Sequence, residues 1–84
     1  MDIKSVVKNY ILENFFFTDD QSMLSDSDSF IETGVIDSTG IVEIVTFLED
    51  EFDIQISPEE MLPEYLDSVA RIVDFVAQKL AANP

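Results

Sequence analysis

Gly34-Val35-Ile36-Asp37-Ser38-Thr39-Gly40, running into Ile41-Val42-Glu43-Ile44-Val45-Thr46-Phe47-Leu48-Glu49-Asp50-Glu51-Phe52, decides how this chain is read. On a helical wheel Ile41, Ile44, Val45, Leu48 and Phe52 fall in one narrow apolar stripe. Thr39, Glu43, Thr46 and Asp50 fall opposite, with Val42 and Glu49 on the flank. The spacing predicts an amphipathic helix whose wet face is acidic and hydroxylic, with one small apolar spot. Asp37 and Ser38 stand at its mouth. Either residue suits the capping position, because both side chains accept from free amides. Both cannot occupy it, so one is left for other work. Gly40, in the first turn, costs up to about 1 kcal/mol of helix propensity relative to Ala. Its expected return is room for a bulky group or for a partner's backbone.

The rest of the chain also reads as helical. Asp2 can cap a segment running to about Phe16, with Ile3, Val6, Val7, Tyr10 and Ile11 at three- and four-residue spacing and Lys4 and Lys8 off that face. A polar stretch follows from Thr18 to about Asp37. It is expected to be a long loop, pinned to the core at its middle by Phe30 and Ile31. Beyond Phe52, Ile54 and Ile56 alternate with Asp53 and Gln55 in a brief extended link. Ser57-Pro58-Glu59-Glu60 carries a proline suited to a first helical position and a Ser57/Glu60 capping box. Pro63 limits that helix to about one turn, because it pushes Leu62 out of the helical region. Asp67 or Ser68 then caps a last helix from Val69 to about Leu80, striped by Val69, Ile72, Val73, Val76 and Leu80. Ala81-Ala82-Asn83-Pro84 is expected to fray. The order predicts an all-α fold: three long helices, one short, and a long loop between the first two. One domain covers 1–84.

Composition narrows the function. Eighteen acidic residues face four basic ones, for a net charge of −14. That balance excludes nucleic acid, whose phosphates demand cations, and an anionic membrane surface. It suits partners with basic docking patches. It also implies self-repulsion within the fold. Hydrophobic residues make up 46% of the chain and include seven phenylalanines, which are expected to be mostly core. No run of about 18 apolar residues exists to span a membrane. The first residues do not form a signal peptide, so a cytoplasmic monomer is the expectation. Neither end is rich in Pro or Ser, which favours a free-standing protein.

The chain has no Cys and no His. Ser38 therefore lacks the usual base of a nucleophilic serine, and Lys4, Lys8 and Lys79 lie in the first and last helices. An enzyme is not expected. Asp26-Ser27-Asp28 hints at a calcium loop but lacks the glycine at position 6 and the glutamate at position 12 of that motif, so no metal site is expected. A phosphate ester is another matter. A helix start presents free amides and the positive end of the helix dipole, which stabilise an attached phosphate. Ser38 is thus read as a residue that is modified. Ser27, Ser29 and Ser68 also follow Asp, but none opens a stripe this strong with glycine two residues on.

Together these residues resemble the acyl carrier proteins and the related peptidyl and D-alanyl carrier proteins. The likeness rests on Asp28-Ser29-Phe30 with Glu32, on Gly34, on Asp37-Ser38, on the acidic helix from Glu43 to Glu51, on Phe52-Asp53-Ile54-Gln55-Ile56, on Ser68-Val69 and on Val73-Asp74-Phe75-Val76. It implies a four-helix carrier bundle with 4′-phosphopantetheine on Ser38, attached by a phosphopantetheinyl transferase from coenzyme A. The arm's thiol would hold acyl or aminoacyl cargo as a thioester, loaded by a separate ligase and passed to downstream enzymes. Asp37, Thr39, Val42, Glu43, Thr46, Glu49 and Asp50 would form the docking strip. The family most often has Leu where this chain has Thr39, and many members have Met where it has Thr46. Asp-Ser-x-Gly resembles the D-alanyl and other dedicated carriers more than the housekeeping carriers of fatty-acid synthesis. The competing reading is an acidic helical interaction module without a prosthetic group.

Overall fold

A computed structural model describes all residues except Met1, Asp19, Val35, Asn83 and Pro84, and gives only the backbone of Gln21, Ser38, Pro63 and Ala82. Five α-helices follow in order, with no strand among the described residues: α1 (Ile3–Ile11), α2 (Phe30–Thr33), α3 (Ser38–Phe52), α4 (Pro63–Leu66) and α5 (Val69–Ala82). The all-helical expectation holds. The arrangement differs: α2 lies within the expected loop, the short helix expected from Ser57 is a 3-10 turn at Pro58–Glu60, and α4 follows it. Asn83 and Pro84 of the anticipated frayed end lie outside the described residues.

Helix α1 buries Val7 and Ile11 against α5, as the spacing predicts. Asp2 holds the cap position, but its carboxylate accepts from the Ser5 hydroxyl at 2.7 Å rather than from a backbone amide. Beyond Ile11 the helix widens into a π-turn, Leu12–Phe16, closed by Phe17 in the left-handed region at φ 56°. Extra residues in a turn re-aim the side chains that follow. Leu12 enters the core, Phe15 and Phe16 are half-buried, and Phe17 is 84% exposed. Phe17 is therefore the exposed exception to the expectation that the phenylalanines are mostly core.

The expected long loop contains a 3-10 turn, Gln21–Met23, and then α2. The Ser29 hydroxyl oxygen accepts from the Glu32 amide at 3.1 Å, which starts α2. Gly34 ends it in the left-handed region at φ 74°, where a residue without Cβ meets no penalty. Phe30 pins this segment to the core as expected, but Ile31 is 48% exposed. Consecutive helical residues point about 100° apart, and here Phe30 takes the inward direction and Ile31 the outward one.

All five stripe residues of α3 are buried: Ile41, Ile44, Val45, Leu48 and Phe52. Ile54 and Ile56 of the extended link are buried as well, with Asp53 and Gln55 outside. Ser57 then starts a 3-10 turn, Pro58–Glu60, its amide donating to Glu60 Oε1 at 3.0 Å. Leu62 is out of the helix, as Pro63 requires, yet Pro63 itself opens α4. A fixed φ near the helical value both ends the preceding turn and suits a first helical position. Ser68 caps α5, its Oγ accepting from the Arg71 amide at 3.2 Å. Val69, Ile72 and Val76 are fully buried, whereas Leu80 is 39% exposed, so the predicted stripe does not reach that far.

Candidate functional site

The segment between α2 and α3 is held from both sides. Gly34 turns the chain, and Ile36 drops its side chain into the core at 2% exposure, its amide reaching the Phe30 carbonyl. Val35 lies outside the described residues. Asp37 is extended and caps α3: its Oδ1 accepts from the Gly40 amide at 3.0 Å and its carbonyl from the Ile41 amide at 3.0 Å. The ambiguity of the Asp37-Ser38 pair is thereby resolved. Asp37 is the cap, and Ser38 is the first residue of the helix, with its side chain outside the described residues.

Gly40 has a structural reason that the sequence did not reveal. A Cβ built on it would stand 2.6 Å from Ile36 Cγ2 and 3.2 Å from Phe15 Cε1. Its space is already taken by the protein's own side chains, so it is not left open for a partner.

Two hollows flank the start of α3. One, of about 430 Å³, is largely apolar and runs between Ile31, Ile36, Ile41, Val42 and Met61. The other, of about 360 Å³, is more polar and is lined by Phe15, Asp37, Thr39 and Glu43. Along the wet face, Val42 is 54% exposed, and Thr39, Glu43, Thr46 and Asp50 are exposed too. Glu49 departs from this set. It is half-buried, and its Oε2 accepts from the Ile56 amide at 3.0 Å, tying α3 to the extended link.

The cations lie elsewhere. Lys4 and Lys8 both pair with Asp26, Lys79 pairs with Glu60, and Arg71 donates to the Glu64 carbonyl. The lysines hold the Asp26 and Glu60 carboxyls below their ordinary ranges, Asp26 chiefly through Lys4 and Glu60 chiefly through Lys79. The Asp28 carboxylate accepts from the Ser25 amide at 3.2 Å. Among the described residues no group of His, Cys, Asp or Glu is arranged to hold a metal ion.

A family model described as the phosphopantetheine attachment site matches residues 16–76. The D-alanyl carrier protein of Streptococcus suis (strain 05ZYH33) is 34% identical over 82 residues, covering 98% of this chain and 100% of the relative. Those of Streptococcus sanguinis (strain SK36) and Streptococcus mutans serotype c are 37% and 36% identical, each over 93% of this chain and 95% of the relative. The chain belongs to the phosphopantetheine-dependent carrier proteins. Its cofactor is a covalent 4′-phosphopantetheine, and the interaction module without a prosthetic group is set aside.

The arm supplies a thiol that holds cargo as a thioester, chemistry this carrier protein lacks for want of any cysteine. The start of α3 suits such a group. The positive end of a helix of 15 residues favours a bound phosphate. Hollows on both flanks leave space beside the helix. The carrier's own residues pack that end: Asp37 caps it, and Ile36 and Phe15 close around Gly40. No helix among the described residues is long and apolar enough to cross a membrane.

One part of the site escaped the sequence reading. Tyr10 stacks on Phe47 at 3.8 Å between ring centroids and meets Phe15 edge-on at 6.2 Å, beside α3. The Tyr10 hydroxyl donates to the Glu43 carbonyl at 3.4 Å. The five-residue step from Tyr10 to Phe15 matches no α-helical face, and only the π-turn brings the two rings together.

Proposed function

We propose that Ser38 carries the phosphopantetheine arm and that the chain presents aminoacyl or acyl thioesters to partner enzymes of a dedicated biosynthetic route, performing no catalysis itself. The observation that carries this reading is that Asp37 holds the cap position of α3 through its bond to the Gly40 amide, which places Ser38 at the first position of the helix. The serine oxygen would attack the β-phosphorus of coenzyme A, and adenosine 3′,5′-bisphosphate would leave. The Mg²⁺ for that step belongs to the transferase. The relatives' names support D-alanine as the cargo, which a separate adenylate-forming ligase would load. Thr39 and Thr46 on the exposed face support a carrier outside housekeeping fatty-acid synthesis. Asp37, Val42, Glu43 and Asp50 are the docking strip for basic patches on those enzymes, and the protein works as a cytoplasmic monomer.

Incubation with coenzyme A and a broad-specificity phosphopantetheinyl transferase, followed by intact mass, tests the assignment. A gain of one phosphopantetheine that Ser38→Ala abolishes is the expected result. Peptide mapping that places the arm on Ser27, Ser29 or Ser68 overturns it. Incubation of the holo form with ATP, D-alanine and a D-alanine-activating ligase tests the cargo. A D-alanyl thioester released by hydroxylamine is expected, and loading by a fatty-acyl ligase alone contradicts the cargo reading.

A further inference from the structure

Asp67 stands just before the cap of α5, yet its carboxylate does not serve that helix. Ser68 takes the cap, its Oγ accepting from the Arg71 amide. The Asp67 carboxylate turns instead to residues 36 and 38 positions back in the chain. One oxygen accepts from the Ser29 hydroxyl and the other from the Ile31 amide, while the Asp67 carbonyl accepts from the Phe30 amide. One residue thus holds three consecutive residues at the start of α2. With four residues, α2 is too short to keep its place by its own hydrogen bonds. Of its side chains only Phe30 is buried. The Phe30 ring and Asp67 together therefore decide where α2 sits.

The segment that leads into α3 hangs from α2. The Gly34 amide donates to the Ile31 carbonyl at 3.1 Å, and the Ile36 amide donates to the Phe30 carbonyl at 3.4 Å. Asp37 follows as the cap of α3. A chain of hydrogen bonds thus leads from Asp67 through α2 to Ile36, two residues before Ser38. We infer that Asp67 is a positioning residue for arm attachment: by fixing α2, its carboxylate sets the backbone that presents Ser38 to the phosphopantetheinyl transferase. This rests on the carrier reading above. Asp67 acts through α2 and forms no part of the exposed face of α3. Its contribution is therefore alignment of the serine, which governs the transfer step, and not the docking that governs KM.

The test is steady-state transfer of the arm from coenzyme A by a purified transferase. It is read by intact mass, at a temperature where circular dichroism shows every variant folded. Asp67→Ala should lower kcat about tenfold and leave KM within about twofold of the parent. Asp67→Asn still offers an oxygen to the Ile31 amide and an N–H to the Ser29 oxygen, so it should restore kcat to within about twofold although the charge is gone. Ser68→Ala removes the cap of α5 and leaves the bonds to α2 in place. It should lower the melting temperature with kcat unchanged. Hydrogen exchange should quicken at the Ile31 and Ile36 amides in Asp67→Ala and not in Ser68→Ala. Should Asp67→Ala fail to fold, Ser29→Ala decides, because it keeps the bond to the Ile31 amide. Its kcat should fall about threefold, and a parental kcat there overturns the proposal. Parental kcat in Asp67→Ala, an equal fall in Asp67→Asn or Ser68→Ala, or a loss confined to KM overturns it as well. A parent chain that gains no arm at all refutes the carrier assignment of Ser38 instead.

Discussion

The Ser29 hydroxyl donates to the Asp67 carboxylate at 2.5 Å, joining residues 38 positions apart in the chain. The same carboxylate accepts from the Ile31 amide at 3.0 Å, and the Asp67 carbonyl accepts from the Phe30 amide at 2.8 Å. The start of α2 is thus fastened to the residue before the cap of α5. Ser29→Ala removes both the cap of α2 and the cross-link. It should cost about 2 kcal/mol in urea unfolding. Ser29→Ala and Asp67→Ala together should cost less than the sum of the two, because they break one shared bond. Simple additivity would mean that the two residues act independently.

Gly40→Ala should destabilise the protein although it raises helix propensity. The new Cβ collides with Ile36 and Phe15, and overpacking of this kind costs about 1–3 kcal/mol against a gain of about 1 from propensity. Ile36→Leu, which lacks the Cγ2 methyl, should recover part of the loss. A higher melting temperature for Gly40→Ala would show that the gap is open after all.

Charge reversal should separate two glutamates of the predicted docking strip. Glu43→Lys should leave the unfolding midpoint within about 0.5 kcal/mol of the parent, because its side chain is exposed. Glu49→Lys should cost about 2 kcal/mol, because a charge-assisted bond to the Ile56 amide is lost. Denaturant titration of both checks this, and equal midpoints would remove the structural role given to Glu49.

Acid acts on this fold through Glu60 and Asp26. Their carboxyls are held below their ordinary values of 4.5 and 3.8, so the stability they contribute is present above those values and lost as pH falls through the lowered ones. Lys79→Met removes the main cause for Glu60. The difference in melting temperature between parent and variant should therefore shrink as pH drops below 4.5, the ordinary value for Glu60. A difference that holds constant down to the acid limit would sever the link to this pair.

The parts of this fold that were legible in sequence are those written as long periods. Fifteen residues of α3 carry enough turns for its stripe to be unambiguous, and all five stripe residues are buried. The α2 turn has four residues and no period, so Ile31 was placed inside when it faces out. Pro63 carries a double meaning, ending one turn and opening the next, and the sequence does not rank the two. Phe15-Phe16-Phe17 shows no spacing that announces a π-turn, so the meeting of Tyr10, Phe15 and Phe47 was invisible. The fit of Ile36 and Phe15 around Gly40 exists only through space. Leu80 continues the α5 pattern but is 39% exposed. At the site, Asp37 and Ser38 were recognised as a pair, and the cap bond to Gly40 distinguished them.

That distinction has a consequence for the working life of the protein. Asp37 anchors the helix while its neighbour is the residue proposed to be modified, so the anchoring bond has no stake in what is attached next door. The unloaded, armed and charged forms can then keep one shape. Successive enzymes would have to tell them apart by the arm and its burden, and the same body could be stripped, rearmed and sent round again without refolding.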